Sequence, residues 1–134
     1  MTRPHVLLIE DSATQAKQIA AQLRQYGLTV DIAGDGPEGL RAVDEQRPDV
    51  VLLDINLPTM NGYQVCSRLK RDQNTAHIPV IMLTSADGSD EILEGLNVGA
   101  VDYIAKDAFA VENLLATLEA LGLIDPDAEN QGKT

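Results

Sequence analysis

Aromatic side chains are almost missing from this chain: 3% of its residues, with one Phe, three Tyr and no Trp. The core of a 134-residue domain must then be aliphatic. Cysteine occurs once, as Cys66, which excludes an internal disulfide. It falls in a helical pattern and reads as a small, half-buried residue, with no His near it in sequence to activate it. Basic residues are few, 10 Lys and Arg against 21 Asp and Glu, for a net charge of −11. Direct nucleic-acid binding needs Lys and Arg gathered on one face, so it is not expected. An anionic membrane is excluded for the same reason. No apolar run is long enough to span a bilayer. The run Val6-Leu7-Leu8-Ile9 is also too short for a signal peptide, and Glu10-Asp11 cuts it off. These absences leave one soluble domain in a reducing compartment, the cytoplasm.

What the chain does have is a set of short apolar runs that end in polar residues. Val50-Val51-Leu52-Leu53 has no polar alternation and stops at Asp54. Such a run reads as a strand buried on both faces, typical of a parallel sheet. Val6-Leu7-Leu8-Ile9 ends likewise in Glu10-Asp11, and Val80-Ile81-Met82-Leu83 in Thr84-Ser85. Thr29-Val30-Asp31-Ile32-Ala33 alternates, as does Val101-Asp102-Tyr103-Ile104-Ala105, which ends at Lys106. Helical patterns lie between and after them. Ser12 starts the first, which carries Ala16, Ile19, Leu23 and Tyr26 and stops at Gly27. Leu40 and Val43 mark the second, Val65 and Leu69 the third. Ile92, Leu93 and Leu96 mark the fourth, and Val111, Leu114, Leu115, Leu118 and Leu121 the fifth.

Five strands alternating with five helices predict an α/β fold, a single doubly wound (βα)5 parallel sheet with helices on both faces. Continuous runs belong in the interior and alternating ones at the edges. That sorting gives the flavodoxin-like strand order 2-1-3-4-5. Residues 1–124 form the domain. Residues 125–134 have no apolar pattern and read as a tail or a severed linker.

Parallel strands bring their carboxyl ends to one edge, where ligands bind in such sheets. That edge carries Glu10, Asp11, Asp54, Thr84 and Lys106. Three carboxylates at close range repel, and a hard cation such as Mg²⁺ relieves the repulsion. A carboxylate can also act as a nucleophile toward phosphorus. Mg²⁺, Lys106 and the Thr84 hydroxyl could then share the charge on the equatorial oxygens of a phosphoryl group moving to Asp54. Other uses of such an edge stay open. It could hold a metal without covalent chemistry. A flavodoxin-type cofactor would want a phosphate cradle where Glu10-Asp11 stands. An aspartyl-phosphate hydrolase would want a second Asp where Asn56 stands.

The motifs together resemble the receiver domain of bacterial two-component response regulators, in the manner of chemotaxis receivers. They are Glu10-Asp11 after the first strand, Asp54 in D-I-N-L-P-T-M-N-G, Thr84 in L-T-S-A, Gly99-Ala100, and Lys106 in D-Y-I-A-K. The resemblance implies that Asp54 is the phosphoacceptor. It makes Glu10 and Asp11 the acidic Mg²⁺ pair, and Asn56 a metal ligand through its backbone carbonyl. Thr84 becomes the switch hydroxyl, Tyr103 the switch aromatic and Lys106 the phosphate-contacting base. The donor would be a sensor histidine kinase or a phosphotransfer protein, and the output an unknown protein partner, with no direct nucleic acid and no membrane. Such a protein catalyses only its own phosphorylation and dephosphorylation. Asn56 and Ala86 would flank the path of hydrolytic water, and both leave it open.

The sequence departs from the family where Pro usually follows the Lys, because Asp107 stands there. A cis bond before a non-proline residue costs about 2.5–4 kcal/mol. Asp107 could keep that bond, cap the last helix or draw Lys106 aside. It also leaves room for a pseudo-receiver that binds partners constitutively. Tyr103 has a plainer reading as a half-buried strand tyrosine. His5 and His77 lie before strands and read as surface residues.

Overall fold

The computed structural model describes residues 3–85 and 98–125. Five strands form one parallel sheet: β1 (His5–Ile9), β2 (Thr29–Ala33), β3 (Val50–Asp54), β4 (Val80–Thr84) and β5 (Asp102–Ala105). Their order is β2-β1-β3-β4-β5. Four helices are described: α1 (Ala13–Arg24), α2 (Gly36–Gln46), α3 (Gly62–Arg71) and α4 (Ala110–Ala120). The helical pattern around Ile92, Leu93 and Leu96 lies outside the described residues, as do Ala86 and residues 126–134. α4 is therefore the fifth pattern of the sequence.

Alternate residues of each inner strand feed two separate cores. Leu8, Leu52 and Ile81 point to the side covered by Ile19 and Leu23 of α1 and Leu114 and Leu118 of α4. Leu7, Leu53 and Met82 point to the side covered by Val43 of α2 and Val65 and Leu69 of α3. Every residue of β3 and β4 is buried, which is why those runs carry no polar alternation. Leu123 and Ile124 pack against the α1–α4 core.

α1, α2 and α3 begin where short polar side chains take free N–H groups; α4 begins at Phe109 with no side-chain cap. Ser12 Oγ accepts from the Gln15 N–H at 3.3 Å, and Asp35 Oδ1 from Glu38 at 2.8 Å. Asn61 and Gln64 form a reciprocal capping box on α3, each bond 3.0 Å.

Three local expectations change. Cys66 is fully rather than half buried, because it lies on the face of α3 turned to the sheet; its thiol donates to the Val98 carbonyl at 3.3 Å. Burial pushes that thiol up to about 11, so it stays protonated and inert. β5 starts one residue late: the Val101 N–H joins β4 at the Val80 carbonyl, but its side chain is exposed. His5 opens β1 instead of preceding it. Its N–H donates to Asp49 Oδ2 and its Nε2 lies against Asp31 Oδ2, both at 2.7 Å.

α3 starts against the backbone that follows β3. The Gly62 N–H donates to the Ile55 carbonyl at 2.9 Å. A Cβ at Gly62 would lie 2.5 Å from the Asp54 carbonyl oxygen and 2.8 Å from Ile55 Cα. Both obstacles are main chain, so they cannot swing away. Gly62→Ala should therefore cost about 1–3 kcal/mol. Urea denaturation would measure it, and an unchanged midpoint would refute the close approach.

Candidate functional site

The carboxyl edge of the sheet gathers five of the residues picked out by sequence. Glu10 directly follows β1, Asp54 ends β3 and Thr84 ends β4. All three are buried, at 2%, 2% and 6% exposure; for the two acids that is unusual and demands partners. Asp11, one residue beyond Glu10, is exposed. Lys106 arrives from the far side: its N–H donates to the Thr84 carbonyl at 2.9 Å, continuing the β4–β5 ladder. Its ammonium reaches back across the strand ends to Glu10 Oε1 at 2.9 Å and Asp54 Oδ1 at 3.3 Å. A third oxygen, Gln15 Oε1 on α1, accepts from it at 3.1 Å.

Glu10, Asp11 and Asp54 each offer an oxygen within 4.8 Å of the others. Two oxygens bound to one Mg²⁺ at about 2.1 Å lie no more than about 4.2 Å apart. The cluster needs only a small contraction to hold that ion, and its all-oxygen donor set suits it. Asn56 stands beside the acceptor. Its N–H donates to Asp54 Oδ1 at 3.2 Å, and its side-chain amide to Ser85 Oγ at 3.2 Å.

The electrostatics follow from this crowding. Burial pushes the Glu10 carboxyl above its ordinary value, Asp54 pushes the same way, and Lys106 pulls back. Burial alone would lower the Lys106 ammonium. The hydrogen bond to Glu10 and the charge of Asp54 outweigh it and hold Lys106 above its ordinary value. It is therefore a fixed positive charge at neutral pH.

Tyr103 does not join this cluster. It sits opposite Met82 in the β4–β5 register, and its ring packs on the α2–α3 side of the sheet. Its hydroxyl is buried and has no hydrogen-bond partner among the described residues. Burial, with Cys66 and Tyr63 nearby, pushes the phenol up to about 12. An unsatisfied buried hydroxyl costs about 1–3 kcal/mol.

The Lys106–Asp107 peptide is trans, as are all peptide bonds among the described residues. Asp107 Oδ1 accepts from the Phe109 N–H at 2.8 Å just before α4. This closes a turn ahead of α4, whose N-cap, Phe109, has no side-chain cap, and it leaves Lys106 to the acids. Sequence reading missed Gln15. Only a three-dimensional contact shows that a polar residue on the exposed face of α1 meets Lys106. His77 is exposed and His5 lies at the start of β1, away from the cluster.

The family model of the response regulator receiver domain matches residues 6–119. A curated relative, the DNA-binding dual master transcriptional regulator RpaA of Synechocystis, is 38% identical over 118 residues, 88% of this chain and 48% of that protein. The chain thus spans about half the length of the curated relatives it matches. Among solved structures, the chemotaxis response regulator CheY4 of Vibrio cholerae is 31% identical with a TM-score of 0.79, over 90% of this chain and 99% of that one. The receiver domain of sensor histidine kinase PA1611 from Pseudomonas aeruginosa is 30% identical over the same shares of the two chains, also at a TM-score of 0.79. That structure holds a magnesium ion coordinated in its active-site cleft.

Proposed function

The chain belongs to the response regulator receiver domains of two-component signalling, and from that premise we propose that Asp54 accepts a phosphoryl group, with Mg²⁺, and that the charge it gains switches a protein-binding surface. The observation that carries the reading is the Lys106 ammonium bridging two buried carboxylates beside an exposed third.

Each residue has a distinct task. Asp54 attacks phosphorus; its oxygen–phosphorus bond forms as the bond to the donor imidazole nitrogen breaks, and the imidazole leaves with that electron pair. Lys106 supplies a charge that cannot be lost at neutral pH to the equatorial oxygens. Thr84 donates its hydroxyl to another. Glu10, Asp11, Asp54 and the Asn56 carbonyl would hold Mg²⁺, which would supply further positive charge at the site. Lys106 is also tied by its backbone to Thr84, and Tyr103 lies on β5 beside Met82 of β4. A change at the phosphoryl group thus reaches both switch residues through the β4–β5 pair.

The donor is a phosphohistidine on a sensor kinase or phosphotransfer protein, and the output is another protein in the cytoplasm. The chain itself, at −11, makes no direct contact with nucleic acid or membrane. No helix among the described residues is long and apolar enough to cross a membrane. It is not an enzyme toward other molecules and turns over only its own phosphoryl group. The alternative, a constitutive binding module, would not need the complete set of acids, hydroxyl and Lys.

Amide NMR shifts with Mg²⁺ and a small acyl phosphate separate the two. With Mg²⁺ present throughout, the switch reading expects the acyl phosphate to add shifts at Thr84, Tyr103 and Lys106 in wild type and none in Asp54→Asn. Unchanged wild-type spectra would leave the constitutive module standing.

A further inference from the structure

Arginine is unevenly placed. Of the six in the chain, Arg41, Arg47, Arg68 and Arg71 all lie on α2, on α3 or at the end of α2. That is the opposite face of the sheet from α1 and α4. A groove of about 550 Å³ runs between α2 and α3, with Arg41, Arg68 and Arg71 among its walls. Arg41 and Arg68 are exposed, and neither guanidinium has a hydrogen bond or ion pair among the described residues. Arg71 reaches only its own helix, at the Ser67 carbonyl, 3.4 Å away.

The two acids of the groove are already engaged. Asp44 Oδ1 faces Arg47 at 3.4 Å, and Asp72 Oδ1 accepts from the Asn74 N–H at 2.9 Å. Arg68 and Arg71 suit the end of α3, where cations complement the helix dipole. Arg41 sits in mid-helix and has no such reason. Three arginines against two acids leave the groove with a surplus of positive charge on a chain of net charge −11. Its floor is apolar, formed by half-buried Leu40 and buried Leu69.

We propose that the α2–α3 groove docks an acidic segment of a partner protein that also carries apolar side chains. Its carboxylates pair with Arg41, Arg68 and Arg71 through the planar guanidinium forks, and an apolar side chain lies over Leu40 and Leu69. Nucleic acid fits less well. The net charge of −11 repels a long polyanion, and an apolar floor offers phosphate nothing. The inference concerns a face away from Asp54 and does not depend on phosphorylation.

The test is fluorescence anisotropy with a short labelled peptide of alternating Glu and Leu, at low salt. The comparison probes are its Gln-Leu counterpart and a DNA duplex. The groove should bind the Glu-Leu peptide at least about tenfold tighter than the Gln-Leu one, and salt should weaken it. Arg41→Gln/Arg68→Gln should lose about tenfold or more, while Arg3→Gln/Lys17→Gln, which removes the same charge elsewhere, should bind as wild type. Circular dichroism checks that both variants fold. Equal binding of the two peptides, equal loss in both double variants, or DNA binding as tight as the acidic peptide would each overturn the proposal.

Discussion

Lys106→Met should slow phosphoryl uptake by roughly 10²–10³-fold and also cost the fold about 2–3 kcal/mol. The two losses share one cause. Met keeps the length of the side chain but deletes the charge that faces Glu10 Oε1 at 2.9 Å and Asp54 Oδ1 at 3.3 Å. Both carboxylates are buried at 2% exposure and cannot turn to water. Breaking a buried pair typically costs about 3–5 kcal/mol. The lower figure applies because Asp11 opens one side of the cluster to solvent. The pH dependence has a definite sign. Glu10 already titrates above its ordinary 4.5. A raised carboxyl leaves stability intact below 4.5 and removes it as pH climbs through the folded value. Without Lys106 that rise grows, so the variant should recover stability on acidification, and Mg²⁺ should restore part of it at neutral pH. Urea titrations at several pH values would check this. A variant as stable as wild type at neutral pH would mean that the ammonium is not what balances the acids.

The second large effect concerns the ion. Asp11→Ala should weaken Mg²⁺ binding at least about tenfold, the lower end of what even outer-shell partners cost. Phosphoryl uptake at limiting Mg²⁺ should fall with it. Asp11 is the exposed member of the cluster, so its loss leaves the fold close to wild type and isolates the metal term. In wild type the affinity should also fall as the solution is acidified, because ligands must be deprotonated. The midpoint should lie above 4.5, since burial raises Glu10. Calorimetric Mg²⁺ titrations of both proteins would decide it. Equal affinities would remove Asp11 from the site.

Much of this was legible in the sequence, for physical reasons. A strand buried on both faces cannot hide a polar residue, so Val50 to Leu53 declared its place in the sheet and Asp54 declared its end. The half-exposed strands β2 and β5 declared themselves as edges in the same way. Once the sheet was parallel, the site followed, because every strand end lies on one rim. What stayed hidden depends on contacts that no local pattern encodes. The Gln15 contact with Lys106 spans 91 residues. Cys66 looked half-buried because a helical pattern shows which face points inward but not how closely the sheet and the Val98 carbonyl cover it. Thr59 takes φ 61°, a left-handed conformation that a β-branched residue rarely adopts and that its sequence neighbours do not announce. Asp107 left three outcomes open, and none of them holds: the peptide is trans, α4 has no side-chain cap, and Lys106 stays with the acids while Asp107 closes a short turn onto the Phe109 N–H.

The central claim is that Asp54 itself carries the phosphoryl group. Borohydride reduces an aspartyl phosphate to homoserine, which marks the residue permanently. The protein would be treated with Mg²⁺ and a small acyl phosphate, reduced, digested and mapped by mass spectrometry. The account predicts homoserine at position 54, absent when Mg²⁺ is chelated. Homoserine at Asp11 instead, or at no position, would contradict it.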